Sequence, residues 1–147
     1  MDGQRYIPQI NVPKESDESR VMRRVKSVWT EAKNTYQIHE PHDFTLAFVN
    51  NSTMHNLRNC ASAGAVGVLR NTSRGKPLIL LRINKSAIEQ NVQRVLDDVI
   101  PHEIAHVVCM LRPQHGHSHN HDAGWQDVAK RLGGTGLATY PEGVFNL

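Results

Sequence analysis

No apolar run in this 147-residue chain approaches the ~20 residues a helix needs to cross a bilayer. A helical membrane anchor is therefore not expected, and no membrane partner is. The opening stretch, MDGQRYIPQINVPKESDE, lacks the charged-then-apolar layout of a signal peptide, so the chain is expected in the cytoplasm. Cysteine is scarce: Cys60 and Cys109 are the two in the chain, and they lie far apart. They allow neither a disulfide framework nor a Cys-x-x-Cys zinc knuckle. Cys109 sits in an apolar run and reads as a buried thiol, in keeping with a reducing compartment. Aromatic residues make up 5% of the chain, so the core must be aliphatic. Excess charge is small as well. A formal +3 is compatible with nucleic acid but diagnoses nothing.

What is present describes an ordinary globular protein. Apolar residues at 39% and charged residues at 21% exclude wholesale disorder. The length suits one domain with one core. Residues 1–15 read as an extended arm and 16–147 as a single domain, expected to be a monomer. The unusual feature is histidine: nine in all, six of them between residues 102 and 121.

Hydrophobic periodicity organises the rest. Ser16 is a candidate cap for a helix whose apolar face carries Val21, Val25, Val28, Trp29 and Ala32. Arg20, Arg23, Arg24 and Lys26 lie among them, as a solvated face or a phosphate-contacting one. Phe44–Val49, Ala63–Leu69 and Leu78–Ile83 read as strands, the first closed by Asn50-Asn51-Ser52. The last two, joined by a turn over 71–77, suggest an antiparallel hairpin. A helical pattern starts at Ser86 and runs through Val108, with a kink or restart predicted at Pro101. Arg112–Asp122 is a polar loop. A last helix covers Ala123–Leu132 and stops at Gly133-Gly134; 135–147 is an irregular tail.

The chemistry concentrates at His102-Glu103-Ile104-Ala105-His106. Two histidines four apart on a helix share a face, about 6 Å along the axis, and can reach one zinc at ~2.0–2.1 Å. Glu103, one step round from His102, borders the metal's open position, where a carboxylate can accept a proton from zinc-bound water. With nine histidines in 147 residues, chance supplies only about 0.03 such motifs. A third ligand must come from His115, His117, His119 or His121. His121 abuts the helix beginning near Ala123 and would be well held; the other three sit in a glycine-containing loop. Tyr140, Arg112 and the loop histidines are candidates for stabilising an oxyanion.

From Gly64 to Gly134 the chain resembles the SprT-like zinc metalloprotease family, which includes Spartan. The resemblance is carried by Ala63-Gly64 entering a strand and by Leu80-Leu81-Arg82-Ile83-Asn84, similar to the family's strand ending in Asn. It is carried further by Pro101-His102-Glu103-Ile104-Ala105-His106, and by His121 followed by Trp125 and then Ala129-Lys130-Arg131-Leu132-Gly133-Gly134. It implies one zinc held by His102, His106 and His121, with Glu103 as catalytic acid/base. It also implies an α+β, zincin-like metalloprotease domain: an N-terminal helix, a small, mainly antiparallel three-stranded sheet, an active-site helix and a further C-terminal helix. Many members carry an acidic residue just before the distal aromatic, where this chain has Gly124. No Cys-rich ribbon follows, so a minimal catalytic domain is expected.

The expected activity is peptide hydrolysis on protein substrates, DNA-associated proteins among them. Two other classes compete. The stretches Arg20–Lys26 and Arg70, Arg74, Lys76 suit a nucleic-acid-binding protein whose proteolysis is conditional or lost. The same metal chemistry also suits a zinc hydrolase of a non-peptide substrate.

Overall fold

The computed structural model describes residues 14–58 and 62–147; the arm expected over 1–15 lies almost wholly outside them, as does Cys60. The first helix, α1 (Asp17–Thr35), starts where Ser16 accepts a hydrogen bond from the Ser19 backbone N–H, with Asp17 and Glu18 in the first turn. Val21, Val25, Val28, Trp29 and Ala32 are all buried, as the periodicity requires. Strand β1 (Asp43–Val49) follows. The polar stretch after it is a helix rather than a turn: α2 (Asn51–Arg58), its first turn capped by the Asn50 side chain on the Thr53 N–H. Strands β2 (Gly64–Leu69) and β3 (Leu78–Asn84) complete a three-stranded sheet.

The sheet order is β1-β3-β2. β2 and β3 form the expected antiparallel pair, but β1 runs parallel to β3. The expectation of a mainly antiparallel sheet is thereby corrected to a mixed one. After β1 the chain passes through α2 to the far edge as β2, and the hairpin then lays β3 between the two. No turn joins β1 to its partner, so no local signal carried its direction. On β3, Ile79, Leu81 and Ile83 are fully buried while Leu78, Leu80 and Arg82 are half-exposed, so one face of the sheet meets the helices.

Asn84 ends β3 with no exposure. Its side chain accepts from the Ser86 N–H, capping the next helix, and donates to Asn51 Oδ1 and the Ser62 carbonyl. One amide thus joins α2, the entry to β2 and the start of α3 (Lys85–Arg94). A π-helical turn, Val95–Val99, then leads into α4 (Ile100–Leu111). The predicted break is present, placed ahead of Pro101: Asn91 leaves helical dihedrals (φ −160°, ψ 76°) and the wide turn follows. In that wide register the Ile100 N–H bonds to the Val95 carbonyl. Pro101, next in line, has no N–H to offer the Leu96 carbonyl. Arg24 Nε fills the vacancy from α1, at 3.0 Å.

α4 is the centre of the molecule. Every residue from Ile100 to Cys109 is buried, between α1 on one side and the sheet and α5 (Ala123–Arg131) on the other. Cys109 is the buried thiol expected of it. α5 begins at Asp122, whose carboxylate accepts from the Trp125 N–H, and ends at Gly133, which takes φ +94°. None of the described helices is long and apolar enough to cross a membrane.

Candidate metal centre

Because α4 is buried all round, its polar residues can only be where something compensates them. His102 and His106 point from it toward His121, on the loop that leads into α5. The His121 Nε2 lies 3.2 Å from the Nε2 of both His102 and His106. An imidazole nitrogen carries either one proton or one lone pair, so His121 Nε2 cannot hydrogen-bond to both neighbours at once while all three rings are neutral. A cation at the point where the lone pairs converge satisfies all three. Ligand nitrogens of a tetrahedral zinc with 2.0–2.1 Å bonds lie about 3.3 Å apart, close to the spacing observed. These residues therefore fit a metal, and the donor set suits zinc. Among the described residues they form the one such cluster of three.

The surroundings keep the rings neutral and oriented. His106 Nδ1 lies 3.2 Å from the Ser118 carbonyl; donation there leaves its Nε2 lone pair facing the cluster. Burial, with the neighbouring rings adding to it, lowers the pKa of His102 to about 4 and of His106 to about 3. Burial lowers that of His121 too. His102 Nδ1 is buried without a hydrogen bond, although the Leu137 backbone stands close enough to favour the protonated ring. Trp125, fully buried, floors the cluster: its ring centroid lies 4.7 Å from His102, 5.1 Å from His106 and 4.5 Å from His121.

His121 is delivered by a backbone crossing. Gly116 and Gly124 pass so close that a Cβ on Gly124 would stand 2.2 Å from the His115 carbonyl oxygen and 2.8 Å from Gly116 Cα. A Cβ on Gly116 would strike the Trp125 N–H nitrogen at 2.5 Å. The loop 117–123 is thus pinched shut at its base, and Asp122 reinforces the neck by accepting from the His117 N–H. A side chain at position 124, where many members of the resembled family carry an acidic residue, has no room here.

Glu103 is buried beside His102, its Oε1 4.0 Å from His102 Nε2. Gly64, at the entry to β2, approaches it closely: a Cβ there would lie 3.1 Å from Glu103 Cγ and 3.1 Å from Val99 Cγ1. The carboxylate and the three histidines open into a cleft of about 670 Å³. Ser62, Gly64 and Val66, at the entry to β2 and along it, line the cleft, as do Tyr140, Pro141 and Phe145 from the segment after α5.

The remaining sequence candidates separate cleanly. Tyr140 lines the cleft, its ring 5.9 Å from that of His102; burial and the nearby Glu103 raise its pKa, so it stays protonated. His119 also lines the cleft. His115 packs edge-on against Tyr36, and Arg112 is held in a two-pronged pair with Glu40, so neither is among the cleft residues. Most of the basic residues are engaged as well: Arg20 with Asp17, Arg23 with Glu15, Arg24 with Leu96, Arg70 with the Met110 carbonyl, Arg74 and Lys76 with Asp43; Lys26 is exposed.

Fold and site together define an α+β protein in which two histidines of a buried helix and one from a later loop lie close enough to hold a metal ion. The family model described as SprT-like matches residues 47–143, more than half of the chain, and the chain belongs to the SprT-like family. No curated protein and no solved structure matches it.

Proposed function

We propose that this chain is a zincin-like metallopeptidase, with His102, His106 and His121 holding one zinc and Glu103 as catalytic acid/base, all within a single domain over 16–147. The observation that supports this most is the convergence of three neutral imidazole nitrogens beside a buried carboxylate at the floor of an open cleft. Zinc, when bound, supplies Lewis acidity that brings the pKa of water toward 7. Glu103 takes the proton from the attacking water and returns it to the leaving amine nitrogen. Its close packing against Gly64 fixes where that proton is taken up. Tyr140, kept protonated, would donate to the developing oxyanion.

β2 suits a peptide substrate. Among the described residues it pairs with β3 alone, and Gly64 and Val66 border the cleft, so an extended chain can add to it by backbone hydrogen bonds. Action on DNA-associated proteins rests on the family resemblance; the basic side chains raised for nucleic acid are largely occupied by partners within the chain. The decisive test is Glu103→Gln. Metal content measured by mass spectrometry should stay at one zinc while peptide hydrolysis falls by at least 10³-fold. Hydrolysis at the wild-type rate would reject this role for Glu103.

A further inference from the structure

The segment after α5 has no regular secondary structure, yet its ends are tied, one to the π-turn and the other to α3. At its start, Thr135 donates its backbone N–H (2.9 Å) and its hydroxyl (2.9 Å) to Asp98 Oδ1; Asp98 is 2% exposed and sits in the π-turn. At its end, the Gln90 side chain on α3 grips the backbone of Asn146 from both sides: its Nε2 donates to the Asn146 carbonyl at 2.8 Å, and its Oε1 accepts the Asn146 N–H. Between the ties, Pro141 and Val144 close a turn, and Gly136 and Gly143 take left-handed dihedrals that bend the chain (φ +75° and +85°). The span so held turns Tyr140 and Phe145 inward, edge to face at 5.4 Å, against the core and along the cleft.

This strap does not plug the site: the cleft keeps its 670 Å³ with the strap in place. It walls the site, and the side chains it offers are mainly apolar, from Tyr140, Pro141 and Phe145, with Thr139 and Glu142 among them. Val66 and Met110, apolar too, also line the cleft. We propose that residues 135–146 form a specificity-determining wall that accepts an apolar side chain beside the scissile bond, with Gln90 as the positioning residue that holds the wall to α3. This rests on the peptidase reading for the word substrate, but the wall itself is a property of the metal cleft.

Two hydroxamates, which bind zinc directly, separate the two ideas: acetohydroxamate, which has no side chain, and an isobutyl-bearing succinyl hydroxamate. Their dissociation constants are measured on zinc-loaded wild type, Gln90→Ala and Phe145→Ala. Wild type should favour the isobutyl compound by well over tenfold. Both variants should cut that preference at least fivefold and leave acetohydroxamate binding within twofold. Hydrogen exchange at the Asn146 amide, followed in metal-free Gln90→Ala, should accelerate at least tenfold. Gln90 is exposed, so this substitution leaves the core intact. A preference unchanged in both variants overturns the wall, and an Asn146 amide that stays protected overturns the tie. With peptides, Gln90→Ala should raise KM for apolar neighbours of the scissile bond and leave kcat within twofold. If peptides are never cleaved while the hydroxamate preference collapses as described, the wall stands and the peptidase reading falls.

Discussion

His102 and His106 illustrate what a single side chain must satisfy to serve as a ligand from inside a core. Each is nearly inaccessible, so the charged imidazolium is disfavoured in the folded chain, and the lone pair stays available for a metal. The same fact has a sign in stability. Below about pH 6.5 the unfolded chain protonates these rings, while the metal-free folded chain resists until about pH 4 for His102 and about pH 3 for His106. The unfolded state then binds more protons, so stability present above pH 6.5 is lost as pH falls through that window. The loss should be on the order of 1 kcal/mol per ring per pH unit. Urea unfolding of the metal-free protein at pH 7, 6 and 5 reads it directly. His106→Gln should flatten the slope, and a slope equal to wild type in that variant would show the ring is not the source.

At the scale of elements, the pinch between Gly116 and Gly124 governs how the loop ahead of α5 presents His121. The atoms that a Cβ on Gly124 would meet are backbone, which cannot swing aside as a flexible side-chain end can. Gly124→Ala should therefore open the loop neck, move His121 away from α4 and weaken zinc binding by at least tenfold, with stability lowered by about 1–3 kcal/mol. A competition titration against a chelating dye measures the first and thermal unfolding the second; zinc affinity equal to wild type would show that the crossing does not set the ligand. How much of this was legible in sequence follows from which signals are local. The His102–His106 pair and Glu103 needed nothing beyond helical spacing, and Val21 through Ala32 declared their buried face by period alone. The distal His121 was legible through its place before a helix start and through the resemblance. The direction of β1 was not, because its partner β3 arrives after a crossover. The α2 helix hid inside Asn50-Asn51-Ser52, residues that cap helices as readily as they end strands. The strap after α5 left no periodic trace, since it is held by Asp98 and Gln90, far from it in sequence. The glycines at 116 and 124, bracketing a histidine-rich loop, were the visible hint of the crossing, but only the fold reveals that they touch.

For the molecule as a whole, a metal held here would do more than chemistry. His102 and His106 belong to the central helix, while His121 belongs to a loop that reaches α4 chiefly through its pinched neck, the Ser118 carbonyl and Trp125 beneath. A bound ion would join the two, and without it the rings meet in contacts that cannot all be hydrogen bonds. Removing metal should accordingly loosen α5 and the loop ahead of it more than the sheet. At free zinc a hundredfold above the dissociation constant, the ion adds about 2.7 kcal/mol, which for a domain of this size corresponds to roughly 5–10 °C in Tm. Dialysis against a chelator should lower Tm by that amount, and stoichiometric zinc should restore it. Hydrogen exchange should show faster opening over residues 117–131 and little change in β3, whose inward side chains are buried without reference to the ion. A uniform acceleration across sheet and helices would mean that the ion supports the whole core; no change in Tm on chelation would mean that the three histidines do not hold a metal at all.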